Sequence, residues 1–495
     1  MKLRSELVIV LIFFSIFFIG CQSREQKDEQ TARQYCASCH LFPEPALLSK
    51  SVWEKDVLPQ MAFHMGIDFT LLKKFSFDDQ DAVSAALPNA AMVTDEQWQA
   101  IKRYYQDKAP DTIVAPIPAI ADTLRQFVAE SVVTTFYPMN TFVSFDSASD
   151  ELFVGSRLAK LYRFDKNLNI IDSAKLPSAP SQIKFISKDK ILLLAMGIMD
   201  PNDQAAGSLL ALDLATKQYT TIIDSLKRPV YFQQVDLDKN GKDDFVICEF
   251  GNFSGALSAY KNTGNNQYER KELISLPGAR KVITTDLDGN GFQDIIALMS
   301  QGDEKIVVLF NHGDFIFRMT TLLKFPPVYG SSYFDLVDLN GDKKLDILYT
   351  NGDNADFSMI LKPYHGVRTF INQGSNDFKE SWFYNVHGAS QAMARDFDHD
   401  GDLDIAVISF FPPFENHAEQ GFVYFENNGG RYEPQITKLA SKGRWITFSC
   451  ADVDRDGDED ILLSALDFNN GTPANLLGKW KSEKVSLLVL RNKLK

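Results

Sequence analysis

Cysteine is scarce in this chain, five residues in 495. A chain of this length can bury a large core without staples, so a disulfide scaffold is excluded. Cys248 and Cys450 lie in separate apolar segments and read as buried free thiols. Positive charge is in deficit: 51 Lys and Arg stand against 65 Asp and Glu, a formal net charge of −14. With no basic patch and no nucleic-acid motif, the sequence offers nucleic acid no footprint. The histidines are few and dispersed. His312, His365, His387 and His417 form no repeated ligand set and accompany no nucleophile constellation, and they read as structural or exposed. Long apolar runs are missing after residue 19, so nothing downstream is a candidate bilayer span.

What is present starts at the N-terminus. Lys2 and Arg4 precede an apolar run from Leu7 to Ile19, followed by Gly20-Cys21. At ~1.5 Å per residue this run falls short of a ~30 Å hydrocarbon core. Residues 1–21 therefore read as an export signal. The ending Phe18-Ile19-Gly20-Cys21 resembles the lipobox of bacterial lipoproteins, which implies lipidation at Cys21 and a membrane-anchored product. An ordinary signal peptide or a short membrane anchor fits the same run. Residues 22–30 are polar throughout and are expected to form an unfolded tether. Within them, Gln26-Lys27-Asp28-Glu29 resembles the tag that sends some Bacteroidota lipoproteins to the cell surface. The implied location is the periplasmic face of the outer membrane or the cell surface of a Gram-negative bacterium.

Two of the few cysteines are concentrated in Cys36-Ala37-Ser38-Cys39-His40. In an exported chain this spacing is that of covalent haem attachment. Cys36 and Cys39 each add across a vinyl group, and His40 becomes the proximal iron ligand. A redox disulfide would call for a βαβ setting, and a zinc site for a second cysteine pair. The surrounding sequence supplies neither.

Residues 31–108 read as one small all-α unit. Thr94 is a helix N-cap with Gln97 three positions on, and Trp98, Ile101 and Tyr105 share one face of the helix that follows. This resembles the C-terminal helix of class I cytochromes c, which packs across the helix bearing CxxCH. The run Trp53 to Gly66 resembles a W-x3-V-x3-M pattern of small cytochrome c domains, which implies Met61 as the distal haem ligand. Met65, one turn away, Met92 and His64 are alternatives. Residues 109–130 are rich in proline at first and read as a linker.

From there a repeat takes over. Five acidic loops recur, their starts 50, 52, 58 and 56 residues apart. They place side-chain oxygens at positions 1, 3, 5 and 9. The first three sets are Asp236, Asp238, Asn240, Asp244; Asp286, Asp288, Asn290, Asp294; and Asp338, Asn340, Asp342, Asp346. The last two are Asp396, Asp398, Asp400, Asp404 and Asp452, Asp454, Asp456, Asp460. Calcium takes about 6–8 hard oxygen ligands at flexible geometry, and a glycine at position 4 or 6 lets such a loop close. An EF-hand is excluded, because position 12 is apolar and the flanks are strand-like rather than helical. Each loop joins two strands, and runs such as Thr369-Phe370-Ile371-Asn372 and Tyr424-Phe425-Glu426-Asn427 supply two more.

Four strands per ~50 residues is the rhythm of a propeller blade. Loops and turns together resemble FG-GAP/VCBS repeats of integrin-like propellers, strongly over residues 231–495. Residues 131–230 keep the strand rhythm without the loop and make two further blades. The expectation for 131–495 is an all-β propeller of seven four-stranded blades binding about five calcium ions; six or eight blades fit the same rhythm. The loops hold seventeen aspartates at ligand positions, without which the chain would sit at +3, so the acidity is committed to cation binding rather than to a partner.

Three functions fit this plan. In the first, a lipid-anchored c-type cytochrome passes electrons through one haem while the propeller docks a redox partner. In the second, the propeller oxidises a sugar or alcohol and feeds the haem. Trp382, Trp445 and Trp480 keep no regular phase, which argues against the tryptophan-docked quinone-cofactor enzymes. In the third, the propeller is a binding or adhesion module for a glycan or surface protein, with Phe410–Glu419 as its aromatic contact loop; a loop packed onto the protein fits the same residues equally well.

Overall fold

The computed structural model describes residues 22–353 and 358–494, so the export signal and Cys21 lie outside the described residues. Position within the fold follows from composition. The runs Asp244–Glu249, Asp294–Met299, Asp346–Asn351, Asp404–Ser409 and Asp460–Ala465 are buried at every residue. A strand apolar on both faces must be covered on both faces, and each is the second strand of a blade, sandwiched between its neighbours. The fourth strand of a blade, such as Gln267–Ile274, is mostly exposed and polar. Seven antiparallel four-stranded sheets result, six of them built from consecutive strands.

The seventh is closed by the two ends of the propeller chain. Strands Trp445–Ala451, Asp460–Ala465 and Val485–Asn492 take their outermost partner from Phe127–Val133. That strand starts inside the segment expected to be a linker, so the linker ends at residue 126 rather than 130. Its apolar residues Phe127 and Val132 are buried against the last blade, which fixes it as strand despite the proline-rich approach. The first strands of successive blades touch around the axis, and all seven carry a one-residue register shift near their start, as at Pro229/Tyr231 and Trp445/Thr447. Such bulges bend each inner strand where it meets the axis.

In antiparallel blades the connections between strands 1–2 and 3–4 lie at one end, and those between 2–3 and 4–1 at the other. The acidic loops all join strands 1 and 2, so they share one face of the disc. The small helical region sits on the opposite face. Its core joins Ala32, Trp53, Ile101 and Tyr105 to Val328 and Tyr364 of the propeller. The Trp53 and Tyr105 rings lie 4.2 Å apart, and their polar tips donate to the Pro45 and Pro43 carbonyls at 2.9 Å. Helix Asp95–Lys108 opens with the Thr94–Gln97 capping box and packs across helix Arg24–Cys36.

That first helix corrects the expectation of an unfolded tether over residues 22–30. Ser23 and Gln26 form a capping box, and Asp28 takes both Arg103 bonds at 2.8 Å while Lys108 pairs with Glu25. The polar run is thus the start of a packed helix, its charges paired across to helix Asp95–Lys108. Among the described residues no helix is long and apolar enough to cross a membrane.

Candidate functional site

The acidic loops share one local plan. Positions 4 and 6 are left-handed in all five, filled by Lys239/Gly241, Gly289/Gly291, Gly341/Lys343, His399/Gly401 and Arg455/Gly457. The glycine therefore alternates between two positions that both need positive φ, and Lys343 stands where the other loops have glycine. The position-9 aspartate starts the second strand, fully or almost fully buried, and works as a clamp. One oxygen accepts the position-2 N–H, as in Leu287 to Asp294 at 2.9 Å. The other accepts the N–H of the asparagine ending strand 3, as in Asn311 to Asp294 at 2.8 Å. The same two bonds recur at Asp244, Asp346, Asp404 and Asp460. That asparagine returns its amide to the loop, Asn311 donating to the Gln293 carbonyl at 3.1 Å, and its oxygen receives the turn glycine N–H.

Four loops bring three carboxylates to within 4.8 Å of one another: Asp236, Asp238, Asp244; Asp286, Asp288, Asp294; Asp396, Asp398, Asp400; and Asp452, Asp454, Asp456. Buried oxygens of Asp238 and Asp396 lack a partner, which suits a bound cation. Burial and the neighbouring charges push the Asp404 and Asp460 carboxyls up to about 6. A divalent ion would reverse that logic and favour the charged form. The donor sets are all hard oxygen, the chemistry of calcium. The third loop, Asp338–Asp346, does not gather such a triad. Its position 3 is Asn340, and Lys344 draws Asp342 aside at 2.6 Å while Asp338 and Asp346 keep their backbone partners. Five expected sites thus become four clusters.

On the opposite face, helix Arg24–Cys36 ends at the first cysteine, and Ala37 and Ser38 turn back onto the Arg33 and Tyr35 carbonyls. Cys36 and Cys39 are free thiols. Burial pushes Cys36 up to about 11, and it faces the Tyr105 hydroxyl. His40 Nδ1 lies 2.9 Å from the Leu41 carbonyl oxygen. With Nδ1 donating there, Nε2 is the nitrogen left for a metal, the arrangement a ligating imidazole requires. The residues present therefore fit a covalent haem at this position.

The distal candidates divide. Met61, Met65 and Cys36 are all half-buried against the Trp53–Tyr105 core, with the Met65 N–H on the Met61 carbonyl at 2.9 Å. Met92 is 45% exposed. His64, the last residue of helix Leu58–His64, lies over the Phe253 ring of the propeller, centroids 5.2 Å apart at 27°. Desolvation lowers both His40 and His64, and His64 also feels His40 as a neighbouring charge. His40 in turn senses Asp303 and Lys324 of the propeller.

The aromatic segment Phe410–Glu419 folds onto the protein. Phe410, Phe411 and Phe414 lie against the buried Arg444 guanidinium at 3.9, 4.5 and 5.4 Å, and Phe414 meets Trp480 edge-on. Nothing in the segment itself signals this, because Arg444 belongs to the next blade.

Residues 236–297, 286–349 and 396–463 match the FG-GAP-like repeat. The chain carries FG-GAP-like repeats within a seven-bladed β-propeller. No curated protein matches it in sequence. Among solved structures it is similar to the N-terminal domain of Nup159, at 11% identity and TM-score 0.44 over 76% of this chain and 98% of that one. The Pan2 WD40 domain of Neurospora crassa gives 12% and 0.47 over 76% and 98%. The Cps50 (Swd1) propeller of Myceliophteria thermophila gives 11% and 0.44 over 74% and 99%.

Proposed function

We propose that this protein is an exported, lipid-anchored c-type cytochrome that carries one haem on Cys36 and Cys39 and passes electrons to a partner docked on its calcium-stabilised propeller. The observation that carries the reading is His40, whose Nδ1 is engaged by the Leu41 carbonyl so that Nε2 is left for iron, one residue after a free CxxC pair. A bound haem supplies one-electron chemistry. The chain's own contribution is to hold His40 in one tautomer, to surround the cofactor with the Trp53–Tyr105 core, and to offer Met61 or Met65 on the distal side. Met61 remains the proposed distal ligand, since it packs against the same Trp53–Tyr105 core as Cys36, whereas Met92 is 45% exposed and outside that core. Calcium in the four acidic clusters would hold the opposite face of the disc rigid.

Expression in a host that matures c-type cytochromes tests the reading. The denatured chain should keep one haem covalently, visible as a haem-stained band and as a mass increase of one haem. Cys36→Ala/Cys39→Ala should lose both signals. A wild-type chain that emerges from that host with no covalent haem overturns the proposal. Reduction of the haem by a sugar or alcohol, with no partner protein, would transfer the oxidising role to the propeller.

A further inference from the structure

The haem reading leaves one contact unexplained, the propeller ring laid on His64. Phe253 sits in the connection between strands 2 and 3 of the third blade, Asp244–Glu249 and Ala256–Gly264. It stacks on His64 and meets Phe63 and Phe75 edge-on, at centroid distances of 5.8 and 5.1 Å. Its loop is held by one carboxylate. Asp203, 5% exposed, accepts the N–H groups of Asn252, Phe253 and Ser254 at 3.1, 2.9 and 2.7 Å, and the Ser254 hydroxyl at 3.0 Å. The Asp203 N–H itself reaches Asp79 Oδ1 of the helical region at 3.3 Å. A four-ring cluster and a carboxylate network thus press one propeller side chain onto the end of one helix.

That helix carries the distal candidates. His64 closes Leu58–His64, Met61 lies one turn before it, and Met65 caps the helix with its N–H on the Met61 carbonyl. Fixing the His64 ring fixes the rotation of this turn, and with it the direction of the Met61 side chain. We infer that Phe253 is a positioning residue for the haem site: it pins His64 to the propeller and sets the distal turn. The inference rests on the proposed haem attachment. It makes the propeller part of the haem pocket rather than a separate docking module.

The test uses the full-length, haem-loaded chain and two substitutions. Phe253→Leu keeps apolar volume and removes the ring face; Phe253→Tyr keeps the ring. Two readouts report the pocket: the rate at which free imidazole enters the oxidised protein, and the haem midpoint potential. Phe253→Leu is expected to admit imidazole faster by about tenfold, the factor that corresponds to one lost aromatic pair, and to shift the potential. Phe253→Tyr is expected to behave as the wild type. If Phe253→Leu holds its haem and keeps both the entry rate and the potential of the wild type, the positioning role is overturned. A wild-type chain without covalent haem removes the reading beneath it instead, and the two failures are told apart by the haem stain.

Discussion

At the scale of single residues, the asparagine near the end of the third strand explains why an Asn-x-Gly turn accompanies four of the five acidic loops, at Asn262, Asn311, Asn372 and Asn427. Asn311 is fully buried, donates to the carbonyls of Gln293 and of Leu237 in the neighbouring blade, and accepts the Gly313 N–H. Asn311→Ala removes three hydrogen bonds and strands their partners, so it should cost about 2–4 kcal/mol. Urea unfolding checks this, and a loss below about 1 kcal/mol would show that the clamp is dispensable. Glu304 gives a residue-scale pH dependence. It is 2% exposed, accepts the Gly330 and Ser331 N–H groups at 3.0 and 2.7 Å, and burial pushes it up to about 7. Its folded value exceeds its unfolded one of about 4.5, so the folded state binds the proton more tightly. Stability therefore falls as pH rises from about 4.5 to about 7 and levels off above. Relative to Glu304→Gln, the wild type should lose roughly 1–3 kcal/mol across that window. Parallel curves for the two proteins at pH 5 and pH 8 would refute it.

At the scale of elements, the closing strand Phe127–Val133 is the one the ring depends on. It pairs with Val485–Asn492 along its length, Ser131 opposite Leu488. Ser131→Pro should cost about 3 kcal/mol and open the last blade to proteolysis near residue 127, read by thermal melting and limited digestion. A variant that melts and digests like the wild type would mean the ring holds without this pairing. The strand also shows where sequence reading stops. The five acidic loops, the strands beside them and the two loop-free blades were legible because each repeats a local pattern of charge, glycine and alternation. Phe127–Val133 carries no such mark, since its partner lies at the far end of the chain. The same reason hid the helical character of residues 24–30, whose anchor is Arg103, and the landing of Phe410 on Arg444. Local chemistry was readable; long-range pairing was not. The third loop, Asp338–Asp346, adds a case of its own. Its Asp, Asn and Gly spacing resembles the others, yet Asn340 stands at position 3 and Asp342 pairs with Lys344 two residues on.

At the scale of the molecule, charge and metal are coupled. The chain is at −14, and four calcium ions in the four clusters would bring it to −6. Ions that bind only the folded loops stabilise by mass action and relieve the repulsion among carboxylates held within 4.8 Å. Removing calcium with a chelator should lower the melting temperature by roughly 5–15 °C, with recovery on adding calcium but not magnesium, whose stricter octahedral geometry these loops do not impose. An unchanged melt would leave the clusters as solvated turns.

The shared last blade also dictates an order of events. Six blades are built from neighbouring stretches and can form as soon as they are made, whereas the seventh joins residues 127–133 to residues 485–492. Contacts of such sequence separation carry the largest loop-closure cost and form late. The helical region therefore docks on blades that belong to a still open arc. Until the two ends meet, the surface that will later carry Phe253 and Tyr364 has no fixed curvature. That face takes its final curvature only when Phe127–Val133 pairs with Val485–Asn492 and the circle is locked.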